Sequence, residues 1–80
     1  MTLTDFKEFI ESILPGKTPK QAAMYSNGIA FVVVNKDTPN KPLMNSLYYV
    51  DFQNSIFREL GLMSDYEGIT KAFENAVDFS

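Results

Sequence analysis

The chain lacks histidine, cysteine and tryptophan entirely. Histidine is the side chain whose charge changes near neutral pH without help, and cysteine is the strongest ordinary nucleophile. Their absence excludes Ser-His-Asp and Cys-His catalysis, thiol redox chemistry, disulfide bridges and nearly every protein zinc site. Glycine and proline are sparse, at four each. No apolar run approaches the roughly 20 residues of a membrane span, and no basic segment followed by an apolar one marks a secretory leader. Without such signals, a cytoplasmic location is the expectation.

Seven Phe and four Tyr stand among the 80 residues, which are 45% hydrophobic. That content excludes disorder and predicts a single small globular domain over residues 1–80. A domain near this size buries only about 60–65% of its unfolded surface, so its core is thin and the large rings matter. The net charge of −3 disfavours nucleic acid, whose backbone is met by a basic face. The charge is uneven along the chain. Lys17, Lys20, Lys36 and Lys41 face only Asp37 in residues 15–42, while Arg58 and Lys71 are outnumbered by acids in residues 43–80.

Leu3, Phe6, Ile10, Ile13 and Leu14 recur at three-four spacing and predict an N-terminal helix, capped by Thr2 or Thr4 and stopped at Pro15-Gly16. Residues 19–26 read two ways. Thr18-Pro19-Lys20-Gln21 has the form of a helical capping box, whereas Asn27-Gly28 between apolar runs signals a hairpin. The β-branched and aromatic run Ile29–Val34 is a strand in need of a partner, which favours the hairpin. Asn35–Pro42 is a polar loop with two prolines. Residues 43–52 are also ambiguous; a helix there would be apolar nearly all round, so a third strand over Ser46–Asp51 is preferred. Phe52, Ile56, Phe57 and Leu60 then predict a short helix from Asn54, closed by Gly61. Ser64-Asp65-Tyr66-Glu67 predicts a last helix to Asp78 that buries Tyr66, Ile69, Phe73 and Val77. The expected fold class is therefore α+β: an N-terminal helix, a small antiparallel meander and two C-terminal helices. The alternative is a mostly helical domain with one hairpin.

Gly16-Lys17-Thr18 matches the tail of a phosphate-binding loop, but Glu11 stands where the first glycine belongs and a helix, not a strand, precedes it. Lys17 and Lys20 are retained as a candidate anion-binding pair. Asp51, Asp65 and Glu67 are the available carboxylates, and helix capping accounts for the latter two; no catalytic residue, metal site or cofactor is expected. Tyr48 and Tyr49 are adjacent, so in a strand one ring faces the core and the other faces outward. With Leu43 and Met44 they form the candidate partner-binding surface, since tyrosine is enriched at interface hot spots and methionine adapts to irregular partners.

A very short, mildly acidic, aromatic-rich chain with no catalytic constellation resembles, in type and size, the small accessory and inhibitor proteins of bacteriophages. The expected function is a non-enzymatic interaction protein that binds and blocks a larger protein partner. The alternatives are an oligomeric binder of a charged small molecule or nucleotide, and a structural subunit of a larger assembly. A homo-oligomer is expected because Ile29–Val34 is apolar on both faces of what reads as a sheet of at most three strands.

Overall fold

The computed structural model describes residues 2–41, 46–61 and 65–79. The elements are α1 (Leu3–Ile13), β1 (Lys17–Tyr25), β2 (Gly28–Asn35), β3 (Leu47–Asp51), β4 (Ile56–Glu59), α2 (Tyr66–Phe73) and β5 (Val77–Asp78). The strands form one five-stranded antiparallel sheet in the order β4-β3-β2-β1-β5. No described helix is long and apolar enough to cross a membrane.

α1 begins at a reciprocal cap. The Thr2 hydroxyl accepts from the Asp5 amide at 3.1 Å, and the Asp5 carboxylate accepts from the Thr2 amide at 3.2 Å, satisfying two amides that no helical carbonyl can reach. Its buried side chains, Phe6 and Ile10, are four apart and land on the same side of the sheet as Ala22, Phe31, Val33 and Val50. The other face carries Ala30, Tyr49 and Leu60, with Ile69 and Phe73 of α2 packed against them. β2 is therefore central and covered on both faces. Its uninterrupted apolar character is explained within one chain, and the ground on which self-association was expected is removed.

β1 settles the ambiguity over residues 19–26 in favour of a strand. It closes on β2 with Tyr25 opposite Gly28, so the turn residues are Ser26 and Asn27, one position earlier than an Asn-Gly turn would place them. Ser26 takes the positive φ of 54°. Gly28 is needed in the strand instead, because a Cβ there would lie 2.3 Å from the Val50 carbonyl oxygen and 2.9 Å from the Tyr49 hydroxyl. Pro19 fits inside β1 for a geometric reason. The Lys36 amide donates to Gly16 O, and antiparallel alternation from that bond turns the proline's missing N–H away from β2.

Two expectations about the C-terminal half are overturned, and with them the predicted architecture. No helix follows Asn54; the chain makes a hairpin into β4. The Asp51 carboxylate accepts the amides of Gln53 at 3.0 Å and Asn54 at 3.2 Å, much as a helix cap would, but Ser55 then enters the left-handed region at φ 55° and turns the chain back. The last helix is also shorter than its periodicity suggests. α2 ends at Phe73, and Val77 and Asp78 pair with Ala22 and Gln21. Tyr66 is 70% exposed and Val77 42% exposed, so neither belongs to a buried helical stripe. Among the described residues the order is one helix, four strands, one short helix and an edge strand.

Candidate functional site

The residues singled out from sequence are dispersed by the fold. Tyr49 is 5% exposed and lies in the α2-side cluster. Its ring meets that of Tyr25 edge-on at 6.0 Å, and the Arg58 guanidinium sits over it at 5.7 Å. Tyr48 leaves the opposite face, as alternation requires, and is half-buried in the α1-side cluster. Neither ring stands free in solvent, because both faces of β3 are covered. Leu43 and Met44 lie outside the described residues, as do Leu62 and Met63. Lys17 donates to Asn35 Oδ1 at 3.2 Å. Lys20 is exposed at the irregularity between Pro19 and Gln21, and its carbonyl accepts the Phe79 amide. The first lysine is thus engaged in holding β1 to β2.

The carboxylates have structural work. Asp51 is 2% exposed, and besides the two amides it accepts from Asn54 Nδ2 at 2.7 Å. That side-chain bond, with the backbone amides of Asn54 and Gln53, holds its pKa below the ordinary value against the opposing effect of burial. Glu11 accepts from the Thr18 hydroxyl at 2.8 Å and lies 3.6 Å from Lys36 Nζ. The Thr18 bond first, and then the Lys36 charge, lower its pKa against partial desolvation. Asp65 caps α2 through the Gly68 amide and accepts from the Tyr25 hydroxyl. Among the described residues no group of three or more acidic side chains is gathered as a metal would require.

The surface that stands out is the β3–β4 hairpin, whose second strand the sequence reading assigned to a helix. All four residues of β4, Ile56-Phe57-Arg58-Glu59, are exposed, and β4 is an outer strand of the sheet. The Leu60 amide donates to Leu47 O at 2.9 Å. By antiparallel alternation, Ile56 and Arg58 turn their backbone groups toward β3, whereas Phe57 and Glu59 turn theirs outward. The edge therefore offers N–H and C=O groups flanked by apolar side chains: Phe52 and Phe57 are each 42% exposed and Ile56 is 40% exposed. Natural edges are usually blunted by charge or proline; here Arg58 and Glu59 do this only in part.

The rings beneath this edge are ordered. Phe31, Tyr48 and Phe57 form a row across three strands, stacked at 5.8 Å and then 5.7 Å. Phe52 packs on Phe9 of α1 at 5.0 Å. The row begins at the fully buried Phe31 and ends at the partly exposed Phe57. Tyr48, one of the residues picked from sequence, is its middle member, and links the core to the edge. The signal that could have located the hairpin is Asp51 followed by Gln53-Asn54-Ser55, a turn composition preceding a β-branched and aromatic pair.

A second apolar depression, of about 280 Å³, lies on the α1 side near the opposite edge and is lined by Leu3, Phe6, Ala22, Met24, Val77 and Phe79. It holds no charged side chain. The chain matches no protein-family model, and no curated protein or solved structure is significantly similar to it.

Proposed function

We propose that the protein is a non-enzymatic interaction protein, of the kind of a phage accessory or inhibitor protein, that binds and blocks a larger protein partner through its β3–β4 hairpin. The observation that carries this reading is the β4 edge, which pairs with no described strand besides β3, with Phe52, Ile56 and Phe57 around it left partly exposed. Large apolar side chains beside unpaired backbone groups suit the contact of one protein with another, where aromatic anchors supply most of the binding energy. The carboxylates with lowered pKa, Asp51 and Glu11, are each explained by a turn or a strand–helix contact.

A photo-cross-linking residue at Phe52 tests this in extracts of the cells that contain the protein, with the same residue at exposed Lys36 as the control. The expected result is one defined protein captured from Phe52 alone. The purified captured protein should then bind wild type at least about tenfold more tightly than it binds Phe52→Lys, with circular dichroism of the variant unchanged. Equal capture from both positions, or equal affinity for both chains, overturns the reading.

A further inference from the structure

We propose that the β4 edges of two copies pair antiparallel about Phe57, joining their sheets into one two-fold symmetric sheet. This rests on reading the β4 edge as a contact surface, and assigns a second copy as its occupant. A larger partner would then meet Phe52, which lies in the hairpin turn outside the paired residues.

The register follows from three restrictions. A two-fold axis normal to the sheet keeps each face on its own side, so residues brought opposite one another must come from the same face of the two copies. Tyr48 stands opposite Glu59, and Val50 opposite Phe57, so Phe57 and Glu59 belong to the α1 face while Ile56 and Arg58 belong to the other. Only pairings of like parity survive, centred on a single residue. The second restriction is charge. An axis through Arg58 sets two guanidinium groups opposite each other, and one through Glu59 sets two carboxylates so; like charges directly opposite destabilise a strand pair. An axis through Phe57 places Arg58 opposite Ile56 of the second copy and opposes no like charges. The third is backbone direction. Phe57 turns both its N–H and its C=O outward, so two copies related by this axis exchange a reciprocal pair of hydrogen bonds at the centre of the contact.

The side chains agree with the backbone. The row of rings running from Phe31 through Tyr48 ends at Phe57, and the Phe57 ring of a second copy is the next member that this register supplies. Aromatic pairs opposite one another are among the favourable cross-strand contacts. The contact is isologous, and it closes at two copies without leaving a β4 edge to recruit a third.

The natural chain has no cysteine, so introduced thiols report this geometry without interference. Ile56 and Arg58 of opposite copies form a non-hydrogen-bonded pair, whose Cβ atoms lie roughly 4.5–5.5 Å apart, close enough for a disulfide with slight adjustment. Ile56→Cys and Arg58→Cys chains, mixed and mildly oxidised, should give a disulfide-linked species containing one of each, while neither chain alone should link efficiently. In sedimentation equilibrium the wild type should dimerise, and Phe57→Lys should weaken the dimer at least about tenfold. Glu59→Pro guards against a folding defect in that variant. It removes an outward N–H and leaves the ladder to β3 intact, and should also weaken the dimer. Efficient linking of Arg58→Cys alone or of Ile56→Cys alone overturns the register. A wild type that stays monomeric to about 1 mM overturns the dimer, and in that case capture from Phe52 decides separately whether the hairpin is a contact surface at all.

Discussion

On the face covered by α1, Phe6, Ile10, Phe31 and Val33 are all shielded from water, and the rings of Phe6 and Phe31 pack on each other and on Phe79 and Tyr48. On the opposite face α2 contributes no buried residue. Ile69 and Phe73 reach the sheet only partly, beside a depression of about 400 Å³ that also involves Val32 and Leu47. Polar contacts supplement the packing there: Tyr25 with Asp65, and Arg58 over Tyr49. Among the described residues the buried cluster on the α1 face is the larger of the two. The α2 face should therefore open locally at lower cost than the α1 face, which should open only with global unfolding.

The largest effect that would break this contrast is at Phe31, which is fully buried and touches Phe6, Tyr48 and Phe57. Phe31→Ala should destabilise the protein by about 3–5 kcal/mol, much of the stability of a domain this small. Chemical denaturation measures it. A loss under about 1 kcal/mol would mean that the α1 face is no better packed than the other.

Phe73 sharpens the comparison from the other side. Being only half-buried, it should cost about 1–2 kcal/mol on truncation to Ala. Hydrogen exchange should quicken over Tyr66–Phe73 and leave the amides of β2 protected. If exchange in β2 rises equally, the two faces unfold as one unit and the contrast fails.

Sequence legibility divides instead along the chain, between the segments before and after Asp51. α1 was readable because Phe6 and Ile10 recur within a capped, strongly periodic segment, and β2 because Ile29–Val34 is a run of strand-forming residues. β3 was readable from the poor amphipathicity of any helix through Tyr48 and Tyr49. The C-terminal segments were misread because short segments satisfy two periods at once. Phe52, Ile56, Phe57 and Leu60 make a helical stripe on paper, but Ile56-Phe57 is equally a strand, and what decides is the left-handed backbone at Ser55, to which no apolar pattern is sensitive. Val77 continues the stripe of Ile69 and Phe73 on paper too. It is taken instead by Ala22, a pairing between residues far apart in sequence that no local window contains. Tyr48 is no free outward ring; it stacks on Phe57 at the edge. The proposed contact surface was missed together with β4, the strand that forms its edge.

The smallest expected effect lies in the polar contact that tethers α2. The Tyr25 hydroxyl donates to the Asp65 carboxylate; that bond, followed by partial burial and the Asp65 charge, raises the pKa of Tyr25 above its ordinary value. A group whose pKa is higher in the folded state contributes stability that is fully present below its unfolded value, about 10 for tyrosine, and is lost as pH rises through the folded value. Stability should thus fall on the alkaline side by an amount that Tyr25→Phe abolishes, since phenylalanine has no proton to lose. Lysines and other tyrosines titrate in the same range, so the informative quantity is the difference between wild type and Tyr25→Phe across a pH series of denaturation curves. That difference should be small, constant through neutrality, and vanish as Tyr25 ionises. Asp65 also caps α2, so the accompanying loss of exchange protection should be confined to that helix. If the two proteins share the same alkaline decline, the contact does not hold α2 to the sheet, and the partial packing of Ile69 and Phe73 holds it unaided.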